Sequence, residues 1–322
     1  MTAPSQGIHH VTAIAGEPQR NLDFYAGTLG LRFIKRTVNF DDPGTYHLYY
    51  GDRTGTPGTL LTFFPWAGAP RGRTGAGEAV VTSFAVPETS LPFWEDRLGA
   101  AAVAGVTRQE RFGQHTLRFS DPNGMELELV GSIAPSAAAD GVTGPVAPAA
   151  AIRRIHGMTL RLRSVEPTAE LMQETLGFTP GPEDNGVRRF HPAAGAAGGV
   201  LDLVRDPDAP LGMMGAGSVH HIAWRAQDDA HQLRLRGEIL GRALSVTPVV
   251  ERQYFRSIYF REPGGVLFEI ATDGPGFTID EPVATLGESL RLPPQYESQR
   301  RAIEAHLGPL VIPEMANVGR NG

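Results

Sequence analysis

Two histidine pairs lie in short apolar runs far apart in the chain, Gly7-Ile8-His9-His10-Val11-Thr12 and Val219-His220-His221-Ile222-Ala223-Trp224. A glutamate sits in a third such run, Val266-Leu267-Phe268-Glu269-Ile270. Two imidazoles and one carboxylate on separate strands, with coordination positions left open, make the ligand set of a non-haem iron(II) centre; manganese(II) accepts the same ligands. A lone histidine in an apolar strand is more often a satisfied core residue than a ligand. The set therefore needs support from the elements that carry it.

Composition narrows the chemistry. The 322 residues suggest about two domains. A net charge of -6 offers no basic field for nucleic acid or an anionic membrane. No apolar run approaches the ~18 residues of a membrane span. The segment Met1-Thr2-Ala3-Pro4-Ser5-Gln6 has neither the charged nor the apolar region of a secretory signal. The lack of cysteine excludes thiolate ligands, thiol nucleophiles and disulfides, and fits a cytoplasmic address. Lys35 is the single lysine, which leaves Schiff-base chemistry and a P-loop almost nothing to work with. Neither a G-x-S-x-G elbow nor a G-x-G-x-x-G turn after a strand is present.

The elements repeat. Three segments end alike: Asn21-Leu22-Asp23-Phe24-Tyr25 before Thr28-Leu29-Gly30-Leu31, Leu91-Pro92-Phe93-Trp94-Glu95 before Arg97-Leu98-Gly99-Ala100, and Ala169-Glu170-Leu171-Met172 before Thr175-Leu176-Gly177-Phe178. Their apolar spacing predicts amphipathic helices, each with its glycine as the C-cap. Strand-like runs at 8–13, 79–86 and 155–162 precede them. Further strands follow, closing at Pro57-Gly58-Thr59-Leu60-Leu61-Thr62, Asn123-Gly124-Met125-Glu126-Leu127-Glu128 and Gly198-Gly199-Val200-Leu201-Asp202. A fourth unit from Ser218 keeps the first strand and the closing Gly264-Gly265-Val266-Leu267-Phe268-Glu269, with a diverged helix around 230–240.

Units of about 55–75 residues are too small to bury a core alone and are expected to pair. The Ala/Pro/Gly-rich stretch 132–151 reads as a linker between two halves. The N-terminal half, 1–131, holds units at about 7–66 and 79–131; the C-terminal half, 152–272, holds units at about 152–205 and 218–272. A tail, 273–322, carries one helix near 295–307 and reads as a packing appendage.

This pattern resembles the vicinal oxygen chelate (glyoxalase/bleomycin resistance/dioxygenase) superfamily over nearly the whole chain. The resemblance implies an α+β fold in which four βαβββ modules pair into two half-open β-barrels, helices outside, around a metal. Four modules in one chain resemble the ring-cleaving dioxygenase branch. Gly7-Ile8-His9-His10-Val11-Thr12-Ala13-Ile14, Thr62-Phe63-Phe64-Pro65-Trp66 and Leu292-Pro293-Pro294 resemble the hydroquinone-cleaving dioxygenases. Aligning the units puts His10, Ser83, Gly157 and His221 in one first-strand slot and Thr62, Glu128, Asp202 and Glu269 in one closing slot. Units one and four together supply His10, His221 and Glu269; units two and three supply nothing that holds a metal. Unit one is therefore expected to pair with unit four, and unit two with unit three. Glyoxalase I places a fourth ligand, a glutamate, where this chain has Thr62. Threonine leaves room for a phenolate and dioxygen together, which favours oxygen chemistry over isomerisation.

The implied activity is extradiol-type cleavage of a substituted hydroquinone ring with O2, using iron(II) or manganese(II). The alternatives are a catechol extradiol dioxygenase, a glyoxalase-like metal-dependent isomerase or transferase, and a non-catalytic small-molecule binder. Around the metal, the resemblance implies roles for His9, Thr12, His220, Arg252 and Tyr259: Arg252 to steady a phenolate, Tyr259 to exchange a proton with a substrate hydroxyl. Strand alternation sends His9 and His10 to opposite faces unless the strand is bulged, so His9 and His220 either touch substrate or support the ligands. His156 is expected in the core, Glu128 facing solvent or paired with an arginine, and the aromatic run 63–66 in core and pocket wall. His47, His115, His191, His231 and His306 read as surface or structural. The expected partners are a small aromatic substrate and O2, with no nucleic acid or membrane and with a homo-oligomer left open.

Overall fold

Strand pairing joins the two ends of the chain. The computed structural model describes residues 4–132, 144–193 and 199–313. The first module comprises β1 (Ile8–Ala15), α1 (Pro18–Leu22), β2 (Arg32–Asn39), β3 (Asp42–Gly51) and β4 (Leu60–Pro65). The second comprises β5 (Glu78–Pro87), α2 (Leu91–Ala100), β6 (Thr107–Arg111), β7 (Gln114–Ser120) and β8 (Glu126–Ser132). The third has β9 (Arg154–Leu162), α3 (Glu166–Glu174), β10 (Thr179–Asp184), β11 (Val187–His191) and β12 (Val200–Arg205). The fourth has β13 (Val219–Ala226), α4 (Asp229–Gly241), β14 (Val250–Glu251), β15 (Arg256–Arg261) and β16 (Leu267–Thr272). One 8-stranded sheet runs β14-β15-β16-β13-β1-β4-β3-β2, the other β10-β11-β12-β9-β5-β8-β7-β6. Module one thus pairs with module four and module two with module three, in two curled half-barrels with the helices outside.

Each module crosses over through its helix so that its first and last strands run parallel, then returns as an antiparallel meander. The helices press apolar faces onto the sheets, burying Trp94, Leu98, Leu171, Met172, Leu235 and Ile239. Two of the expected caps are where the glycines place them: Gly30 and Gly177 take φ of 69° and 73°. The third is not. Helix α2 runs through Gly99 to Ala100, and Ala102 takes the left-handed position at φ 51°. After α1 the chain widens into a π-helical turn over Asp23–Thr28. That turn carries Tyr25 inward, where its buried hydroxyl donates to Asp121 of module two at 3.0 Å.

The register of the central pair decides the site. Strand β1 is antiparallel to β13, with Ile8 opposite Trp224, His10 opposite Ala223, Thr12 opposite His221 and Ala13 opposite Val219. Two residues on one strand face one on the other at both ends of this stretch, which makes His9 and His220 the extra residues of two β-bulges. A bulge breaks strict alternation, so both members of each histidine pair turn toward one another. The other sheet repeats the device between β5 and β9, with Val80 and His156 as the extra residues. Val81 is therefore the counterpart of His10, and Ser83 that of Thr12. The sequence alignment had Ser83 two residues out of register, because nothing local marks a bulge in Ala79-Val80-Val81-Thr82.

Of the linker, 133–143 lies outside the described residues, as do Gly198 of the third closing turn and 314–322 of the tail. The tail up to 313 does more than pack. Lys35, fully buried on β2, donates to Asp280 at 2.7 Å and pairs with Glu281. Tyr254 donates to the same Asp280 at 3.0 Å, and its ring stacks on Phe277. Further along, Tyr296 donates to the Phe40 carbonyl, and helix α5 (Arg300–Leu307) lies against β3. The tail thereby braces the β2–β3 hairpin. Replacing Lys35 by Met leaves two carboxylates without their buried cation, and we expect a loss of about 3–5 kcal/mol in urea denaturation. Adding Glu281→Leu should restore part of that loss.

Candidate metal centre

His10 and His221 project from the paired β1 and β13, and Glu269 stands on β16 opposite Ala223. All three are buried, and their ligand atoms lie within 4.8 Å of one another. Glu269 Oε2 is 2.9 Å from His221 Nε2 and 3.5 Å from His10 Nε2, and the two Nε2 atoms are 3.3 Å apart. Among the described residues this is the one such group of three or more potential ligands.

The donor set fits a divalent cation. Glu269 Oε1 accepts from Ser257 Oγ, whereas Oε2 is buried with no hydrogen bond of acceptable geometry despite its neighbours. Three donor atoms converge on one point and leave the carboxylate oxygen unsatisfied, as two imidazoles and a carboxylate around a metal do. The opposite ring nitrogens agree. His10 Nδ1 meets His9 Nδ1 at 2.9 Å, and His221 Nδ1 meets His220 Nδ1 at 2.8 Å. Such a contact needs one N–H and one lone pair. A ligand histidine with its lone pair on Nε2 carries its proton on Nδ1, so with a metal bound His10 and His221 would donate and His9 and His220 accept. Burial, with the neighbouring histidine second, pushes His9 and His220 each down to about 3, which keeps both neutral and able to accept. Burial acts to raise the Glu269 pKa, yet the imidazoles of His10 and His221 hold it well below the usual carboxylate range.

A cavity of about 330 Å³ opens onto the triad. Module one lines it with His47, Tyr49, Phe64 and Trp66, and module four with His220, Phe255, Tyr259 and Leu267. Asn39, Phe40, Asp41 and Arg252 complete the wall. Of the five residues expected around the metal, His220, Arg252 and Tyr259 line the cavity. Arg252 Nε donates to the Tyr259 hydroxyl at 3.1 Å, and its Nη2 pairs with Asp41 at 3.1 Å. His9 lies behind His10 against Phe255, with ring centroids 5.1 Å apart, and Thr12 hydrogen-bonds Thr62 at 2.8 Å; neither lines the cavity.

His47 is not the surface or purely structural residue expected. It faces the cavity with Nε2 2.9 Å from Thr62 Oγ1 and Nδ1 2.8 Å from the Tyr49 hydroxyl. Burial, with His10 and His221 next, holds its pKa well below the ordinary value, so it is neutral. A signal for it existed. Tyr49 pairs with Thr62 as Tyr259 pairs with Glu269, and His47 precedes Tyr49 by two positions as Ser257 precedes Tyr259. Extending the unit alignment to the strand before the closing one would have found it.

The other barrel shows what these positions do without a metal. Gly157 stands where His221 does, and a Cβ there would collide with Val200. Glu128 and Asp202, in the closing slot, are buried and bind Arg111, with Asp202 also held by Arg189 at 2.8 Å. Glu128 also accepts from Ser83 at 2.7 Å. Guanidinium groups supply the positive charge, and the half-buried His156 is pushed down to about 4 by desolvation and then Arg189.

Known proteins agree with this architecture. MhqO of Bacillus subtilis (strain 168), named as a ring-cleaving dioxygenase, is 49% identical over 315 residues, covering 98% of this chain and 100% of its own. The chlorohydroquinone/hydroquinone 1,2-dioxygenase of Sphingobium indicum is 35% identical over 305 residues, covering 91% of this chain and 92% of its own. The crystal structure of a Bacillus subtilis protein described as a dioxygenase superposes with a TM-score of 0.93 at 48% identity, covering 97% of this chain and 100% of that one. Glyoxalase I from Zea mays shares the fold, with a TM-score of 0.63 at 12% identity over 83% of this chain and 92% of its own. The model of the Glyoxalase/Bleomycin resistance protein/Dioxygenase superfamily matches residues 7–129 and 80–270, and the chain belongs to that superfamily.

Proposed function

We propose that this chain is a non-haem iron(II) dioxygenase that opens the ring of a substituted hydroquinone beside a hydroxyl-bearing carbon, placing both atoms of O2 in the product. The observation that carries the reading is a triad of His10, His221 and Glu269 facing an aromatic-walled cavity, with Thr62, and no second carboxylate, at the strand position equivalent to Glu269. The named activity of the Sphingobium indicum relative supports a hydroquinone over a catechol. Manganese(II) would fit the same donors.

His10, His221 and Glu269 would hold the metal, which when bound supplies the one-electron chemistry that lets a singlet diol react with triplet dioxygen. The remaining work belongs to the protein. His220 is neutral, lines the cavity and accepts at Nδ1 from His221, so its other nitrogen carries the ring proton and donates to a substrate oxygen. Tyr259 is kept protonated by burial, and because its oxygen accepts from Arg252, its own proton is the one it can turn to a substrate oxygen. Arg252 stabilises negative charge developing there. His9, sealed behind Phe255, holds the ring of His10, and Thr12 holds Thr62.

Iron-loaded protein should consume oxygen with hydroquinone and yield a ring-opened product; full turnover in the absence of oxygen would exclude a dioxygenase. His221→Ala should lose both bound metal, read by elemental analysis, and activity, and retention of either would remove His221 from the ligand set. Tyr259→Phe should keep its metal while kcat falls on the order of 10²-fold.

A further inference from the structure

The barrel that holds the triad is built on a pseudo-twofold axis between β1 and β13, and that symmetry identifies a group the reaction above leaves unused. Glu269 and Thr62 occupy equivalent places: Glu269 pairs with the residue two beyond His221, Thr62 with the residue two beyond His10. Ser257 binds Glu269, and His47 binds Thr62 in the same relation. Tyr259 and Tyr49 are therefore mates on opposite walls of one cavity, and both line it. Arg252 holds the Tyr259 hydroxyl, and His47 holds that of Tyr49.

The Tyr49 chain has a defined remaining capacity. Tyr49 Oη, His47, Thr62 and Thr12 form consecutive contacts of 2.8, 2.9 and 2.8 Å. With a neutral imidazole the chain runs in one of two directions. When Tyr49 donates to His47 Nδ1, its oxygen is left to accept; when His47 Nδ1–H donates to Tyr49, the phenolic proton is left to give. In either case one hydrogen-bonding position of Tyr49 is open, and a hydroxyl satisfies both because it donates and accepts. The ring cannot swing away, since Phe277 packs edge-on at 5.2 Å and Tyr254 at 6.2 Å.

We propose that Tyr49 is a substrate contact that receives the second hydroxyl of the diol, with His47 as its positioning residue, so that the cavity selects a ring carrying two hydroxyls. This rests on the hydroquinone reading and adds a specificity determinant to it.

The test is calorimetric titration of anaerobic, iron(II)-loaded protein with hydroquinone and with p-cresol, which replaces one hydroxyl by a methyl of similar size. Wild-type protein should prefer hydroquinone. Tyr49→Phe should weaken hydroquinone roughly 5- to 10-fold, as loss of one buried hydrogen bond does, and leave p-cresol binding and iron content unchanged. His47→Ala should show the same selective loss. Equal losses for the two ligands, no loss at all, or a wild type that does not prefer hydroquinone would overturn the proposal. A selective binding loss without oxygen uptake on hydroquinone would keep the Tyr49 contact and remove the dioxygenase reading. Oxygen uptake with no selective loss would do the reverse.

Discussion

The antiparallel pairing of β1 with β13 is the constraint on which the site depends. It brings together two histidines 211 positions apart, and the bulges at His9 and His220 set how they face. A strand without a bulge would point neighbouring side chains to opposite faces. Here each pair can instead share a proton through Nδ1, which fixes the ring and leaves Nε2 as the lone-pair donor. A one-residue slip of β13 against β1 would turn His221 away from the barrel interior. The burial of both strands on both faces makes such a slip costly.

Because β1 and β13 are equivalent strands of equivalent modules, whatever flanks them comes in related pairs. Chemistry enters where the pairs differ. Glu269 is a carboxylate and Thr62 a hydroxyl, so the two equivalent positions offer a metal one strong donor and not two. Tyr259 leans on a permanent cation and Tyr49 on a neutral imidazole, so the two walls present hydroxyls of different character. The second barrel keeps the geometry and changes the charges: with Val81 and Gly157 in place of ligands, Glu128 and Asp202 take Arg111 and Arg189 as counter-ions. Buried carboxylates need such partners, and the pairing is complete without a metal.

The C-terminal tail connects stability to the cavity wall. Lys35, Asp280 and Tyr254 tie the tail to β2 and to the loop that carries Arg252 and Phe255. Tyr296 and helix α5 hold the β2–β3 hairpin, whose tip provides Asn39, Phe40 and Asp41. Asp41 then reaches Arg252 across the two modules. The tail is thus fixed to β2 by charges buried outside the residues that line the cavity.

Local pattern marked the four-module repeat and the candidate triad, because helical and strand periodicity and the types His, His and Glu are written in short segments, and the α+β class followed from the family resemblance that the repeat carries. The pairing of module one with module four was also legible, through the requirement that one barrel hold a complete ligand set. Bulges were not. A bulge is a property of two strands in register, so the facing of His9 and His220 and the offset of Ser83 could not be read from either strand by itself. Nor could the partnership of Lys35 with a tail some 245 residues away; His47 was legible only by extending the unit alignment to the strand before the closing one, where it matches Ser257. The sequence by itself determined which groups could do chemistry. Tertiary structure decided which of them face one cavity, because that depends on register and on contacts between segments that share no local signal.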